Sequence, residues 1–212
     1  MSQIFLVRHG EVEGNYGPKR TFAGWGDKPL TEKGLRQAQA VAERLAHEPL
    51  TAVYTSDLKR ALHTAEAIAA RHNLTVQADK ALREVNYGQW EGLGDAELLR
   101  DWAQHWQRRV ADPLNVAPPD GESYADLWRR LQPVWEVIGE RHRGQSVAIV
   151  GHNGSLRILL CHLLGAPLGN ARHIRLMNTS ISCVEYEDST MEASSARYVI
   201  SSINDTCHLA GI

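Results

Sequence analysis

Cysteine and long apolar runs are both scarce in this chain of 212 residues. The three cysteines, Cys161, Cys183 and Cys207, lie far apart and form no Cys-x-x-Cys pair. An odd number of widely spaced cysteines argues against a disulfide framework and against a structural zinc site. No apolar run approaches the roughly 20 residues of a membrane span, and residues 4–7 are too few for the core of a signal peptide. We therefore expect a cytoplasmic protein without a membrane partner.

An excess of one charge is also missing, because 23 Lys and Arg residues stand against 25 Asp and Glu residues. Such a balance gives no electrostatic reason to expect nucleic acid as a partner. The sequence contains no internal repeat and no low-complexity stretch, and no group of His, Cys or acidic residues has metal-ligand spacing. We therefore predict neither a metal nor a cofactor. The length, together with 43% hydrophobic residues, suits one globular domain over 1–212.

What the sequence does contain is an alternation of short apolar runs with amphipathic segments. This alternation predicts an α/β domain with a mostly parallel sheet, with loops at 112–123 and 187–195. Strands are predicted at residues 4–7, 52–54, 147–150, 182–187 and 197–202. Helices are predicted from Thr31 with Leu35, Ala38, Ala42 and Leu45 inward, from Asp57 with Ala61, Leu62, Ala65, Ile68 and Ala69 inward, over 96–106, from Ser123 with Leu127, Leu131, Val134 and Ile138 inward and a kink or break at Pro133, and over 154–164.

Two histidines follow predicted strands directly, although they are far apart in the sequence. Arg8 and His9 come after the first strand, and His152 comes after the strand at 147–150. Ligands of parallel α/β sheets collect at the carboxyl ends of the strands. We therefore expect His9 and His152 to meet at one edge of the sheet.

The first of these segments, Arg8-His9-Gly10, has the side chains that phosphate chemistry needs. A neutral imidazole is a nucleophile that can carry a phosphoryl group, and a guanidinium can hold phosphate oxygens through two hydrogen bonds. Gly10 permits a close backbone approach. The alternative interpretation is a surface Arg-His pair after a strand, and this segment alone does not decide between the two.

Three further segments carry polar groups at comparable places. Arg60 lies in the first turn of a helix that follows a strand, where the helix N-terminus also favours anions. Glu84 lies in a loop rich in glycine and aromatic residues, where a carboxyl group can be desolvated as a general acid requires. His152 lies between a strand and a helix. The alternatives are a solvated arginine, an ordinary acidic turn and a segment that only begins a helix.

Taken together and in this order, the segments resemble the histidine phosphatase superfamily, which includes the phosphoglycerate mutases. The resemblance runs over nearly the whole chain and implies a three-layer α/β/α sandwich with a mostly parallel central sheet. It depends on Arg8-His9-Gly10, Asn15, Gly24-Trp25 with Asp27, Pro29-Leu30-Thr31 and Gly34, Ser56-x-Leu58-x-Arg60-Ala61-x-x-Thr64-Ala65, Leu82-x-Glu84 with Gly88-x-Trp90-Glu91-Gly92, Gly121-Glu122-Ser123, and His152-x-Gly154.

The resemblance also implies roles for single residues. His9 resembles the family's phosphorylated histidine, and Glu84 resembles its proton donor. The implied phosphate pocket consists of Arg8, Arg60 and His152. Further phosphate or substrate contacts are predicted for Asn15, Gly24, Tyr87 and Asn153. The sequence departs from the family pattern at Val12, where a hydroxyl residue is common, and at Asn153, where glycine is more common. The start of the helix is the favoured interpretation of Asn153, and a contact with a phosphate oxygen is the alternative.

These roles agree with the physics of phosphoryl transfer. The charge of the phosphoryl group in transfer spreads over its equatorial oxygens, so positioning and electrostatics dominate catalysis. His9 must be neutral to attack, whereas His152 is predicted to help as a charged imidazolium, in an environment that separates the two pKa values. Glu84 would first give a proton to the leaving oxygen and then take one from water.

Three activities are compatible with such a site: a phosphomonoesterase acting on a small phosphorylated metabolite, a cofactor-dependent phosphoglycerate mutase, and a phosphate-binding protein without catalysis. The connection from Glu84 to His152 spans only 68 positions (152 − 84), and the family's mutases carry a longer insertion that shields the site from water. This short connection resembles the phosphatases, in particular α-ribazole phosphatases and broad-specificity phosphatases. The segments Phe22-x-Gly24-Trp25 and Tyr87-Gly88 also resemble mutases. We therefore predict a metal-independent phosphatase.

The substrate pocket is predicted to take its walls from residues 13–26 and from a lid-like insertion at 93–123. Trp102 and Trp106 share a helix face in that insertion, which favours packing. Arg108 or Arg109 could meet a second anionic group of the substrate, and Lys19 and Arg20 are weaker candidates. A homodimer stays open at this point, because the superfamily includes monomers and dimers.

Overall fold

A six-stranded sheet forms the centre of the computed structural model, which describes residues 2–17, 20–186 and 198–212. The strand order across the sheet is β3-β2-β4-β1-β5-β6. Of these six described strands, β5 alone runs against the others, because the pairs β1–β4, β2–β4 and β2–β3 are parallel and β5 is antiparallel to both neighbours. The strands are β1 (Ser2–Arg8), β2 (Leu50–Thr55), β3 (Val76–Ala78), β4 (Ser146–Gly151), β5 (Ile181–Tyr186) and β6 (Tyr198–Asp205).

Helices connect these strands and cover the sheet. None of the described helices is long and apolar enough to cross a bilayer. Short 3-10 segments at Lys80–Leu82, Gly88–Trp90, Leu168–His173 and Cys207–Leu209 complete the described elements. The α-helices are α1 (Glu32–Leu45), α2 (Lys59–Ala70), α3 (Asp95–Asp101), α4 (Ala103–Ala111), α5 (Tyr124–Arg141) and α6 (Asn153–Leu163).

The two faces of the sheet are covered by different helix pairs. Alternate residues of one strand point to opposite faces, so Leu6 of β1 packs with α5 and α6 whereas Val7 packs with α1 and α2. The buried side chains on each face form a separate apolar cluster. This arrangement confirms the predicted α/β fold and the three-layer α/β/α sandwich.

The inward face of α1 differs from the prediction at one residue. Thr31 caps the helix as predicted, by accepting a hydrogen bond from the Gly34 amide at 3.0 Å. Leu35, however, is half exposed. Gly34 and Gln37 face the interior instead, because the backbone of Glu11 packs closely on Gly34 and donates to the Gln37 side chain. Contact with the loop after β1 therefore decides the rotation of the helix.

The predicted cap of α2 was wrong. Asp57 does not cap the helix, because its carboxylate pairs with the guanidinium of Arg83 through two bonds of 2.5 and 2.6 Å. Leu58 occupies the cap position and makes no side-chain cap bond. Leu62 is only partly buried, whereas Thr64 is buried.

Other predicted elements differ at their bounds. The helix expected over 96–106 is two helices that meet at Trp102. Helix α5 continues through Pro133 without a break, since Pro133 is exposed and only one backbone hydrogen bond is lost there. Strand β3 was not predicted, because three partly exposed residues give no clear apolar signal. The loop at 187–195 and the adjoining ends of the two late strands lie outside the described residues.

Candidate active site

The parallel pairing of β1 with β4 brings the two predicted histidines together. Arg8 pairs with Gly151 at the carboxyl ends of these strands, and the His9 amide donates to the Gly151 carbonyl at 3.0 Å. The next residue of the second segment is His152, at the N-terminus of α6. The ring centroids of His9 and His152 are 5.1 Å apart. The expected meeting of the two histidines at one sheet edge is therefore observed.

The environment of His9 favours a neutral ring with a free Nε2 atom. Its Nδ1 lies 2.6 Å from the carbonyl oxygen of Gly10, and because a carbonyl only accepts, Nδ1 must carry the proton. Nε2 then holds the lone pair. Burial lowers the pKa of His9 well below its usual value, and the positive charges of Arg60 and Arg8 lower it further. His9 thus meets the requirement for a nucleophile.

His152 differs from the prediction in its charge. Burial lowers the pKa of His152 well below its ordinary value, and the charge of Arg60 lowers it further, so the ring is neutral rather than charged. The Ser56 hydroxyl lies 2.6 Å from Nε2, whereas Nδ1 is buried without a hydrogen-bond partner in the described part of the chain. A neutral ring can still donate a hydrogen bond from Nδ1. Ser56 is thus a site residue for which no role was predicted, although it begins the Ser56-x-Leu58-x-Arg60 motif.

The two predicted arginines are both buried and held by backbone carbonyls. Arg8 donates to the Leu176 carbonyl at 2.6 Å and to the hydroxyl of Tyr16 at 3.2 Å. Arg60 donates to the carbonyls of Gly26 and Gly24 at 2.7 and 2.6 Å. Within the described residues the Nε atoms of both arginines have no partner. Each guanidinium therefore has a buried donor still available.

The N-terminus of α6 holds the Glu84 carboxylate. Amides of Gly154 and Ser155 donate to it at 2.8 and 3.2 Å, and the amide of Val85 donates at 2.8 Å. A Cβ atom at position 154 would lie 2.3 Å from the Glu84 Oε1 atom. Glycine at 154 is therefore required for the close approach of the carboxylate to the helix, and this helix also begins with the residue after His152.

A cavity of about 610 Å³ opens beside these residues. Of the predicted site residues, Arg8, His9, Asn15, Glu84, Tyr87 and Asn153 line it, whereas Gly24, Arg60 and His152 are not among the lining residues. The described residues that line it are Arg8, His9, Gly14, Asn15, Tyr16, Gly17, Arg20, Thr21, Phe22, Ala23, Glu84, Tyr87, Asn153, Arg157, Arg175, Leu176 and Met177.

The walls of the cavity match one predicted segment and not the other. Residues 14–17 and 20–23 contribute lining as expected, but no residue of 93–123 does. Arg108 is exposed on α4, and Arg109 donates to the Val116 carbonyl at 2.6 Å, so neither faces the cavity. Arg20 does line it, whereas Lys19 lies outside the described residues. The insertion instead packs Trp102 and Trp106 around Phe22 and Trp90.

Comparison with known proteins identifies the family. The sequence model of the histidine phosphatase superfamily (branch 1) matches residues 4–197. The chain belongs to this superfamily. It is therefore an enzyme of the histidine phosphatase type, and the paired histidines at the sheet edge form the centre of its candidate active site.

The proteins similar to this chain include one named as a probable mutase and others named as phosphatases. "Probable phosphoglycerate mutase GpmB" of Yersinia pestis (strain Pestoides F) is 38% identical over 210 residues, which cover 99% of this chain and 95% of the relative. Among solved structures, YhfR of Bacillus stearothermophilus has a TM-score of 0.87 at 30% identity over 99% and 100% of the two chains. The α-ribazole phosphatase of Shigella flexneri has a TM-score of 0.84 at 25% identity over 96% of each chain. A mycobacterial glucosyl-3-phosphoglycerate phosphatase in complex with VO3 has a TM-score of 0.82 at 29% identity over 96% and 99%.

In this histidine phosphatase, an ion pair that was not predicted from the sequence holds the loop that contains Glu84. Arg130 of α5 binds both carboxylate oxygens of Glu122 at 2.8 Å. The same guanidinium donates to the carbonyls of Ala81, Arg83 and Glu84 at 2.8, 2.9 and 2.6 Å. Arg130 thus connects α5 to the backbone of the residue that is predicted to transfer the proton. No sequence motif marks a helix arginine of this kind.

A second missed residue, Glu91, holds the loop behind Arg60. Its carboxylate accepts hydrogen bonds from the amides of Gly24, Trp25 and Tyr87 at 2.9, 2.7 and 3.1 Å. A Cβ at Gly24 would lie 2.3 Å from this carboxylate, so Gly24 serves the loop geometry. Because the Gly24 carbonyl accepts from Arg60, Glu91 positions that arginine indirectly. The sequence feature that could have identified Glu91 as a site residue is its position in the Gly88-x-Trp90-Glu91-Gly92 motif.

A third missed residue, Asn178, joins the two sides of the site. Its side-chain nitrogen donates to the His9 carbonyl at 2.8 Å and to the side-chain oxygen of Asn15 at 3.2 Å. The Asn15 oxygen also accepts from the Val12 amide at 3.1 Å. With its oxygen so engaged, Asn15 has its amide nitrogen to offer a ligand. Among the described residues, no group of three or more His, Cys, Asp or Glu side chains is arranged to hold a metal ion.

Proposed function

We propose that this enzyme hydrolyses phosphate monoesters of small metabolites through a phosphoryl intermediate on Nε2 of His9. The observation that carries the proposal is the hydrogen bond from His9 Nδ1 to the Gly10 carbonyl at 2.6 Å. It leaves the Nε2 lone pair free in a buried site beside two guanidinium groups. The proposal extends to the predicted phosphate contacts Arg8, Asn15, Arg60 and His152.

The buried donors of this site match what a phosphoryl group requires. Arg8 Nε, Arg60 Nε and His152 Nδ1 are buried and have no hydrogen-bond partner among the described residues. An unsatisfied buried donor is costly, and phosphate oxygens would satisfy all three. Charge on the equatorial oxygens would also be stabilised by the two guanidinium groups. The phosphate dianion in turn favours protonation of His152 by its opposite charge.

The reaction divides into two steps. Nε2 of His9 attacks phosphorus, the N–P bond forms, and the ester P–O bond breaks. Glu84, in its protonated form, gives a proton to the leaving oxygen. A water molecule then attacks the phosphoryl group, Glu84 takes the proton of that water, and the N–P bond breaks to release phosphate and restore His9.

Hydrolysis requires that water reach the phosphoryl group. The cavity mouth is accessible, since Tyr16 and Met177 are 46% and 40% exposed and line it. Residues 93–123 do not close over it. These observations favour a phosphatase over a mutase, as do the phosphatases among the structural neighbours. We also propose that the insertion at 93–123 is a lid or substrate-specificity element of the enzyme.

A phosphoglycerate mutase is the second candidate, and the 38% identity to the GpmB relative favours it. Phosphate release from p-nitrophenyl phosphate in the presence of EDTA tests the first candidate. We expect release by the unmodified enzyme and none above background by His9→Ala. Conversion of 3-phosphoglycerate to the 2-isomer with a bisphosphate primer, without phosphate release, would instead establish the mutase. Phosphate binding without either reaction would leave a non-catalytic binding protein.

A further inference from the structure

The cavity contains more positive charge than one phosphate group requires. Four arginines line it, and Glu84 supplies the opposing carboxylate. Arg60 adds a further buried guanidinium, although it is not among the lining residues. Arg8 and Arg60 lie at the two histidines and suffice for a phosphate dianion. The lining arginines Arg20, Arg157 and Arg175 are then left over.

Two of these arginines, Arg157 and Arg175, come from adjoining segments of the cavity lining. Asn153 and Arg157 are four residues apart in α6, so both project from one face of the helix and Arg157 lies about 6 Å farther along its axis. Arg157 also donates to the Ile174 carbonyl, which places it against the residue before Arg175. Arg20 belongs to a different wall and lies 5.8 Å from the ring of Phe22.

We propose that Arg157 and Arg175 bind a second anionic group of the substrate, a carboxylate or a second phosphate on the carbon skeleton of the phosphomonoester. This inference rests on the proposed function and names the substrate class of the same site. Its basis is that both arginines line the cavity, that Arg157 contacts the backbone next to Arg175, and that Arg157 is about one helical turn beyond Asn153 in α6. Planar guanidinium forks match carboxylate and phosphate oxygens in two-bond geometry.

The bonding state of the two arginines agrees with this role. Arg157 is partly buried, and that burial lowers its pKa, a cost that an anion would offset. Its Nε and one terminal nitrogen are directed to the carbonyls of Ile174 and Arg172, which leaves the other terminal nitrogen for a ligand. Arg175 is exposed, and the described part of the chain offers its side chain no hydrogen bond or ion pair. Hydrogen bonds therefore hold the Arg157 side chain in place, whereas among the described residues none holds the side chain of Arg175.

Calorimetric titration of His9→Ala measures binding without turnover. The ligand pairs are 3-phosphoglycerate against glycerol 3-phosphate, and fructose 1,6-bisphosphate against fructose 6-phosphate. Each pair differs only at the second anionic group. We expect the ligand with that group to bind about 10- to 100-fold more tightly in at least one pair, and the preferred pair identifies carboxylate or phosphate as the group.

Substitution of the two arginines should abolish this preference. We expect Arg157→Gln and Arg175→Gln to remove most of it while binding of the partner with only one anionic group changes about twofold or less. Arg108→Gln is the matched control, because it removes one positive charge from an exposed position outside the cavity. Arg175 is exposed, so its substitution tests the site even where Arg157→Gln loses the contact with Ile174 and fails to fold.

Two results would overturn the inference: no preference in either pair, or a preference that Arg157→Gln and Arg175→Gln reduce no more than Arg108→Gln does. Hydrolysis of p-nitrophenyl phosphate, which has no second anionic group, separates this inference from the proposed function. Intact His9-dependent hydrolysis without a ligand preference would contradict the inference alone. A ligand preference without hydrolysis would contradict the proposed function alone.

Discussion

The proton on Nδ1 of His9 decides which nitrogen can become phosphorylated. Because Nδ1 donates to the Gly10 carbonyl, only Nε2 has a lone pair in the neutral ring. We predict that enzyme quenched during turnover carries its phosphoryl group on Nε2. Phosphorus NMR of the trapped protein, compared with both phosphohistidine isomers as standards, checks this. Phosphorylation of Nδ1 would contradict the tautomer that the Gly10 contact implies.

Single residues were predicted where a motif marks them and missed where only packing does. Arg8, His9, Arg60, Glu84 and His152 each follow a strand, open a helix or lie in a glycine-rich loop, and such places are visible in a sequence. The lowered pKa of His152 was not predicted, because burial cannot be read from a sequence. Its ring is fully enclosed, and enclosure without a nearby anion disfavours the charged form.

At the scale of the element, the N-terminus of α6 binds the Glu84 carboxylate, and this contact depends on Gly154. Gly154→Ala would place a Cβ atom 2.3 Å from Glu84 Oε1. We predict that kcat/KM for p-nitrophenyl phosphate falls about 100-fold, since a displacement near 1 Å has that order of effect. Gly169→Ala is the control, because its Cβ would approach only Pro113 Cγ at 3.9 Å. Equal activity of both variants would contradict a positioning role for Gly154.

Helix α5 acts on the site from a distance through Arg130. Lysine at this position keeps the charge but loses the fork that binds Glu122 and three carbonyls. We predict that Arg130→Lys lowers kcat about 10-fold or more with little change in KM, and lowers the free energy of unfolding by about 3 kcal/mol.

The neighbouring residue provides a control for this substitution. Arg129 pairs with Asp126 at the surface, and its side chain is 74% exposed. We expect Arg129→Lys to change stability by less than about 0.5 kcal/mol and to leave kcat unchanged. Steady-state kinetics and urea unfolding of both variants test the pair. Full activity of Arg130→Lys would show that the loop before Glu84 needs no anchor on α5.

Helices and strands with a regular apolar pattern were predictable from the sequence. Elements that are short, or whose bounds depend on tertiary contacts, were not. The strand Val147–Val150 and the helix after Thr31 have strong local signals, and both are observed. The break at Trp102 is different. The Trp102 ring packs against the ring of Trp90, and one continuous helix would not allow that contact. Contacts of this kind join residues that the local sequence does not relate.

For the whole molecule, buried neutral histidines make stability depend on pH. Burial lowers the pKa of His9 and His152, and it lowers those of His162 and His208 in the same direction. The unfolded chain binds protons at about pH 6.5, where the folded protein does not. Their contribution is therefore complete above pH 6.5 and decreases as the pH falls below it toward the folded pKa values.

Urea unfolding at pH 7.5, 6.5 and 5.5 measures this effect. Each histidine that stays neutral in the fold contributes up to about 1.4 kcal/mol per pH unit. We predict that His152→Gln makes the decrease in unfolding free energy below pH 6.5 shallower by up to this amount. His63→Gln, on the exposed side of α2, should leave the slope unchanged. Equal slopes in all three proteins would contradict the assignment to His152.

The position of β1 in the middle of the sheet has a consequence during synthesis on the ribosome. Its two partners are β4 and β5, and β4 begins only at Ser146. At about 5 to 20 residues per second, synthesis of β1 is complete roughly 7 to 28 seconds before synthesis of β4 begins. During that time both of its edges are unpaired, and an unpaired apolar strand invites aggregation. The pairing that joins His9 to His152 therefore leaves the nascent chain open to aggregation until β4 has been made.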